Sequence, residues 1–252
     1  MTGLFDFQAF RMIWLREMIR TSRDRNQIAG SFARPILWLV IMGLGLGSVS
    51  PGFGRLTYPA FLFPGVVAMN MLYGSFLSAV SIIWDREFGF LKEMMVAPIS
   101  RSSIVLGKSA SGATVACFQG SLVFLFLPIV GVSIPFWKLF VGLPVMFLIA
   151  FPLTALGLWL ASRMTSFEGF GTLANFVVMP MFFMSGAVFP LEKAPPALQW
   201  FGKVNPMTYG VDLLRGVFYG VHLHPILLSL GVLVCFSVVA VTGAVAAFSR
   251  RD

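Results

Sequence analysis

Charge is what this chain has least of. Only 11% of its 252 residues are Asp, Glu, Lys or Arg, whereas a soluble domain carries about 25%. With 58% apolar residues, 27 of them Phe, a single soluble core could not hide the apolar surface, so lipid must be the solvent. Acid is scarcer than base, and the net charge is +8. The basic residues sit at the ends of apolar runs, where they meet anionic headgroups, which argues against nucleic acid as a partner. The two cysteines, Cys117 and Cys235, both lie inside apolar runs and read as buried thiols rather than a disulfide framework. The two histidines, His222 and His224, could touch a metal from an extended chain but lack a third ligand, and a solvated loop is favoured. Both stand at one membrane face, so no Ser–His–Asp arrangement can be assembled. Neither a catalytic group nor a metal site is expected.

Nucleotide motifs are missing too. Gly107–Lys108–Ser109 resembles the end of a phosphate loop, but Ser102 stands where the first glycine is needed, and no strand–loop–helix context surrounds it. Gly43, Gly45 and Gly47 lack a βαβ unit and read as close helix packing.

What is present is apolar length. Six stretches contain no Asp, Glu, Lys or Arg: 35–54, 56–84, 109–137, 139–162, 169–191 and 225–249. Each reaches the roughly 20 residues needed to cross the hydrocarbon core. The predicted spans are 33–53, 58–83, 104–130, 136–162, 168–189 and 225–248, an all-α integral membrane protein with one transmembrane domain over 1–252. Prolines 64, 128, 144, 152 and 180 interrupt the runs, which membrane helices tolerate. Ionisable residues are absent from the middles of the runs, which opposes a proton relay or a charge-lined ion path.

Residues 1–34 form a basic leader too polar and too long for a cleavable signal peptide. Phe7, Phe10, Trp14 and Met18 share one helical face and Arg16, Arg20 and Arg23 the other, the pattern of a helix lying in the interface. With both termini inside, thirteen basic residues fall in the cytoplasm and five outside, as the positive-inside rule requires. Residues 190–224 then lie outside, with turns at Pro195–Pro196 and Asn205–Pro206, and their apolar content suggests short helices that re-enter the outer leaflet.

Between the second and third spans lies a charged island, 84–103. On one ideal helix Phe88, Leu91, Met94 and Met95 fall on one side, and Asp85, Arg86, Lys92 and Glu93 on the other. Pro98 then removes a backbone donor. Glu87 projects into the apolar arc, where a carboxylate is costly unless a partner covers it. A surface helix tying two spans together is the plain reading, and a docking helix is the sharper one. Two further stripes carry a similar choice. Asn70, Gly74, Ser78 and Ser81 line one side of the second span with Tyr73 adjacent, and Asn175, Met179, Phe182 and Gly186 do so on the fifth. Small-polar stripes pack helices together. They also suit a cavity wall, where Met and Phe adapt to apolar ligands and Asn or Ser supply hydrogen bonds.

The leader ending near Arg34–Pro35, the island from Asp85 to Leu91 and from Met94 to Pro98, the run Ser185–Pro190, and Asn205–Pro206–Met207–Thr208–Tyr209 followed by Asp212, Leu214, Arg215 and Gly216 together cover nearly the whole chain. In these features it resembles the membrane subunits of ABC-type exporters, the ABC type-2 permease family, which includes nodulation oligosaccharide, daunorubicin and polysaccharide exporters. The resemblance implies a permease in a bacterial inner membrane, working as a dimer with a second copy or a related permease and with two separate ATP-binding subunits. ATP and Mg would belong to those subunits, with no cofactor on this chain. It further implies that Asp85, Arg86, Glu87, Phe88, Gly89, Leu91 and Pro98 couple to the ATPase. On the cavity-wall reading of the two stripes, the expected substrate path runs past Asn70, Tyr73, Ser78, Asn175, Met179 and Phe182. The expected cargo is hydrophobic or amphipathic, with a lipid-linked oligosaccharide as the alternative. A secondary transporter and an intramembrane enzyme are rivals that want midplane charges, inverted repeats or catalytic groups not found in the sequence.

Overall fold

The computed structural model describes residues 6–47, 56–96, 99–164 and 166–249, and its described residues are helical with no strand. The leader is α1, Phe7–Arg23, capped by Asp6, whose Oδ1 accepts from the amides of Gln8 and Ala9. After α2, Arg25–Pro35, the backbone widens into a π-helical stretch over Ile36–Met42 and returns to α in α3, Gly43–Gly47. Pro35 has no N–H to continue the α ladder, which is where the change of winding begins.

The central element is α4, Tyr58–Ala79, buried along almost its whole length. It runs on through a kink at Val80 into α5, Ser81–Glu87. Next come α6, Phe90–Val96, then α7, Arg101–Ser121, which tightens to 3₁₀ over Leu122–Phe126. The long α8, Phe136–Arg163, packs on α4, α7 and α12, Ile226–Ser249. Ser100 caps α7 by accepting from the Ser103 amide, and Ser166 caps α9, Phe167–Phe183, through the Gly169 amide. Side-chain oxygens at these positions satisfy helix-start donors that would otherwise be orphaned.

Among the described residues, five helical stretches are long and apolar enough to cross a membrane: Ala29–Gly47, Tyr58–Glu87, Arg101–Phe126, Phe136–Arg163 and Ile226–Ser249. The fifth expected span, 168–189, is shorter than the apolar run that encodes it. Its helix α9 has 17 residues, about 25 Å at 1.5 Å per residue against a core of ~30 Å. The chain turns at Met184, Gly186 takes φ +73°, Ser185 is buried, and Ala187 is buried against Gly65 of α4. A Cβ at Gly65 would stand 2.6 Å from the Ala187 Cβ, so only glycine lets the turn seat there. The third expected span, 104–130, likewise leaves the α form after Ser121.

In the 190–224 segment the two short helices are α10, Pro196–Val204, and α11, Pro206–Tyr219. The second is buried on most sides and packs on α8, α12 and α4. The Asn205 side chain makes this possible. Its Oδ1 caps α11 at the Met207 amide, and its Nδ2 donates to the Met181 carbonyl of α9 at 2.7 Å. Asp212 accepts from the amides of Leu223 and His224, folding the following chain back over α11.

Candidate functional site

Where α4 ends and α7 begins, five charged side chains meet. Lys108 of α7, fully buried, donates to Asp85 Oδ2 at 2.6 Å, Glu17 Oε1 at 2.9 Å and Ser81 Oγ at 3.1 Å. Arg16 of α1 closes on Asp85 Oδ1 at 2.7 Å and on Glu17 at 3.4 Å, with Arg20 3.7 Å from Glu17. Three cations thus hold two buried carboxylates, and α1, α5 and α7 are fastened at one knot. Desolvating such a group is repaid only when its geometry is good and its hydrogen-bonding capacity is used. Here each Lys108 hydrogen has its own acceptor. Further ties run alongside. The Asp6 amide donates to Ser103 Oγ and Trp14 Nε1 to Thr114 Oγ1, so the Phe10–Trp14 face of α1 turns to α7 rather than to lipid, leaving Met12, Leu15 and Ile19 exposed.

The charged island is built on this knot. It is not the single helix of the ideal-wheel arc, because α5 stops at Glu87 and α6 starts at Phe90. Gly89 between them takes φ +76°, a conformation that side-chain-bearing residues resist. The break sends neighbouring side chains in opposite directions. Asp85 enters the ion knot, and Arg86 turns back to donate to the Ser162 and Met164 carbonyls at the C-terminus of α8. Unsatisfied carbonyls at a helix end are a favourable seat for a guanidinium. Glu87 and Phe88 point outward, with Phe88 75% exposed and the Trp84 ring beside it. Behind the elbow, the Phe90 ring lies 3.6 Å from the Arg16 guanidinium carbon, so α6 also rests on the knot. The Leu91 side chain and Pro98 fall outside the described residues.

The expected path residues separate into two groups. Asn70 is fully buried, its Nδ2 donating to the Gln119 carbonyl at 2.6 Å and the Ser31 carbonyl at 3.2 Å. Gly74 meets α7 at Gln119 and Ala116, and Ser78 faces Gly112. That stripe packs helices within the subunit. Phe182 is equally enclosed, edge-on to Trp38 at 5.2 Å. Tyr73 and Asn175, however, come together in a cleft of about 210 Å³ between α2, α4 and α9, lined also by Arg34, Phe76, Phe170 and Val178. Met179 stands exposed on the same helix as Asn175, and Phe176 is 77% exposed.

Glu17 was not singled out from the sequence, and Arg16, Lys108 and Arg34 were named there for other features, not as site residues. Glu17 carried a signal, being the one carboxylate in residues 7–23. So did Lys108 and Asp85, charges of opposite sign that both border charge-free runs at the same face.

A polar cavity of about 240 Å³ lies at the far end, among Glu192, Lys203, Asp212, Arg215 and His224. Arg215 there is buried, donates to the Gly186 carbonyl and lies over the Phe61 ring. The Asn-Pro motif therefore stitches α11 to the turn after α9.

Residues 8–219 match the family described as ABC-2 type transporter. Nodulation protein J of Rhizobium leguminosarum bv. viciae is 28% identical over 243 residues, which cover 95% of this chain and 93% of that protein. Inner membrane transport permease YadH of Escherichia coli (strain K12) is 27% identical over 236 residues, covering 91% of this chain and 90% of that one. With a family match over most of its length and several helices able to cross a membrane, this chain belongs to the ABC-2 type transporter family, as a multi-pass membrane permease subunit of an ABC transporter.

Proposed function

We propose that the permease exports a hydrophobic or amphipathic cargo by alternating access, driven by ATP that separate subunits hydrolyse. The observation that carries this reading is the elbow at Glu87 and Phe88. It presents an exposed carboxylate with no partner among the described residues and a largely exposed aromatic ring to the outside, while the residues just before it are locked into the bundle through Asp85 and Arg86. A stroke applied at the elbow would pass through the ion knot into α1 and α7, and through Arg86 into α8. Asp85 and Arg86 then transmit force, and Glu87 and Phe88 receive it. ATP and Mg belong to the partner, and this chain supplies no covalent chemistry. The cleft at Tyr73 and Asn175 is the portion of the cargo path that one subunit contributes. Its volume falls short of the ~300–1,000 Å³ of a pocket for a drug-sized ligand, so a second permease copy would complete it. The exposed rings and side chains of Phe176, Met179, Ile36, Leu37 and Ile41 give that copy an apolar face to meet.

Purification with the products of neighbouring genes tests the reading: an ATP-binding subunit is expected to co-purify. Its absence, with cargo movement following an ion gradient instead, would assign the chain to secondary transport. The proposed orientation places both termini in the cytoplasm. Single cysteines at Ser249 and Ala197, introduced after Cys117 and Cys235 have been replaced by alanine, are expected to label from opposite sides of intact cells. An impermeant reagent that reaches both from outside would refute it.

A further inference from the structure

We propose that Arg34 receives an anionic head group of the cargo, so that the exported molecule is an anionic amphiphile. The inference rests on the exporter reading above and adds the chemical class of what the cleft binds. Other cations of this protein are matched with acceptors. Arg16, Arg20 and Lys108 share two carboxylates. Arg86 and Arg215 donate to backbone carbonyls. Arg34 is different. Its guanidinium carbon lies over an aromatic ring, 4.0 Å from the Tyr73 centroid, and among the described residues no Asp or Glu lines the cleft that it enters. Among the described residues that ring is its one side-chain partner.

Stacking on a tyrosine holds a guanidinium in place and leaves its in-plane N–H groups free. Those N–H groups form a planar fork matched to a carboxylate or phosphate. The remaining walls are apolar or weakly polar: Phe76, Phe170, Val178 and the Asn175 amide at the rim. A cation with open donors at one end and aromatic walls beyond it fits a molecule with one anionic head and an apolar body. A wholly apolar cargo would leave the guanidinium desolvated and unpaired, which is costly. A phospholipid of the bilayer shares this head-group chemistry, so binding alone does not identify cargo, and turnover is needed as well.

The test uses the complex co-purified with its ATP-binding subunit, in nanodiscs made only of phosphatidylcholine. Two probes share one acyl chain: oleoyl lysophosphatidic acid, which is anionic, and monooleoylglycerol, which is neutral. The wild type is expected to bind the anionic probe more tightly and to hydrolyse ATP faster in its presence. In Arg34→Gln the affinity for the anionic probe is expected to fall about tenfold or more, its stimulation of ATP turnover to disappear, and monooleoylglycerol binding to stay unchanged. The last result shows that the cleft is still folded. Arg34→Lys should restore part of the affinity, since it keeps the charge but loses the fork. Equal affinity of Arg34→Gln for the anionic probe would overturn the proposal, and so would an equal loss for both probes. A selective loss with no effect of the probe on wild-type ATP turnover would reassign the site to a resident phospholipid and overturn the cargo assignment. The exporter reading fails separately, through the absence of a co-purifying ATPase.

Discussion

Lys108→Met is expected to be the most damaging single substitution in the chain, lowering stability by about 3–5 kcal/mol. Methionine fills a similar volume but offers no donor. The carboxylates of Glu17 and Asp85, almost fully enclosed, would lose the cation that stands 2.9 and 2.6 Å from them. Arg16 and Arg20 would remain, but both are partly exposed and approach from one side. A buried carboxylate without its counter-ion carries its whole desolvation penalty. Thermal unfolding in detergent, followed by the loss of the monodisperse species, measures the effect. Adding Glu17→Gln and Asp85→Asn to Lys108→Met should recover much of the loss, because the charges that needed Lys108 are then gone. Such non-additivity is the signature of side chains acting as one group. A Lys108→Met protein as stable as the wild type would show that the knot contributes nothing to holding α1 and α5 on α7.

Phe88→Ala is expected to do the reverse: no loss of fold and a large loss of partner affinity. The ring is 75% exposed and, among the described residues, its one ring neighbour is Trp84, so removing it empties no core. At the centre of a protein interface, an aromatic side chain that fills a pocket contributes about 2 kcal/mol or more, roughly thirtyfold in affinity. Glu87→Ala should act in the same direction, since a charge-assisted hydrogen bond is worth about 1.5–3 kcal/mol. Arg86→Ala sorts differently because Arg86 points into the bundle. It frees the Ser162 and Met164 carbonyls, so it should loosen the end of α8 and lower thermal stability, with the elbow's own docking surface left in place.

The spans were legible because lipid demands long apolar runs, and charge-free length is written plainly in the chain. Orientation of the elbow was not. Gly89 is one residue in an otherwise helical pattern, and a helical wheel drawn through it keeps Asp85 and Arg86 on an outer face that they do not occupy. The fifth run misled for a related reason: hydropathy reports that residues 169–191 avoid water, but not whether they leave it by crossing the bilayer or by folding against α4, as Ala187 does. The same ambiguity governs the polar stripes. Asn70 and Asn175 are one residue type in two similar patterns. One is bonded to carbonyls inside the subunit and the other stands at a cleft rim, a distinction set by which helices surround each stripe. Single members of the ion knot carried a signal, but their meeting did not, because they come from three segments, 16–20, 85 and 108, that periodicity along the chain cannot bring together.

The elbow's role as the point where ATP hydrolysis enters the membrane subunit is tested most directly by measuring ATP turnover and cargo export in the same proteoliposomes. Wild type and Phe88→Ala would be compared, each reconstituted with saturating amounts of the partner ATPase. The expected result is export per ATP reduced severalfold in Phe88→Ala, with the thermal stability of the permease unchanged. Equal export per ATP for the two proteins, together with equal affinity for the ATPase, would contradict it and return residues 84–96 to a surface tie between spans.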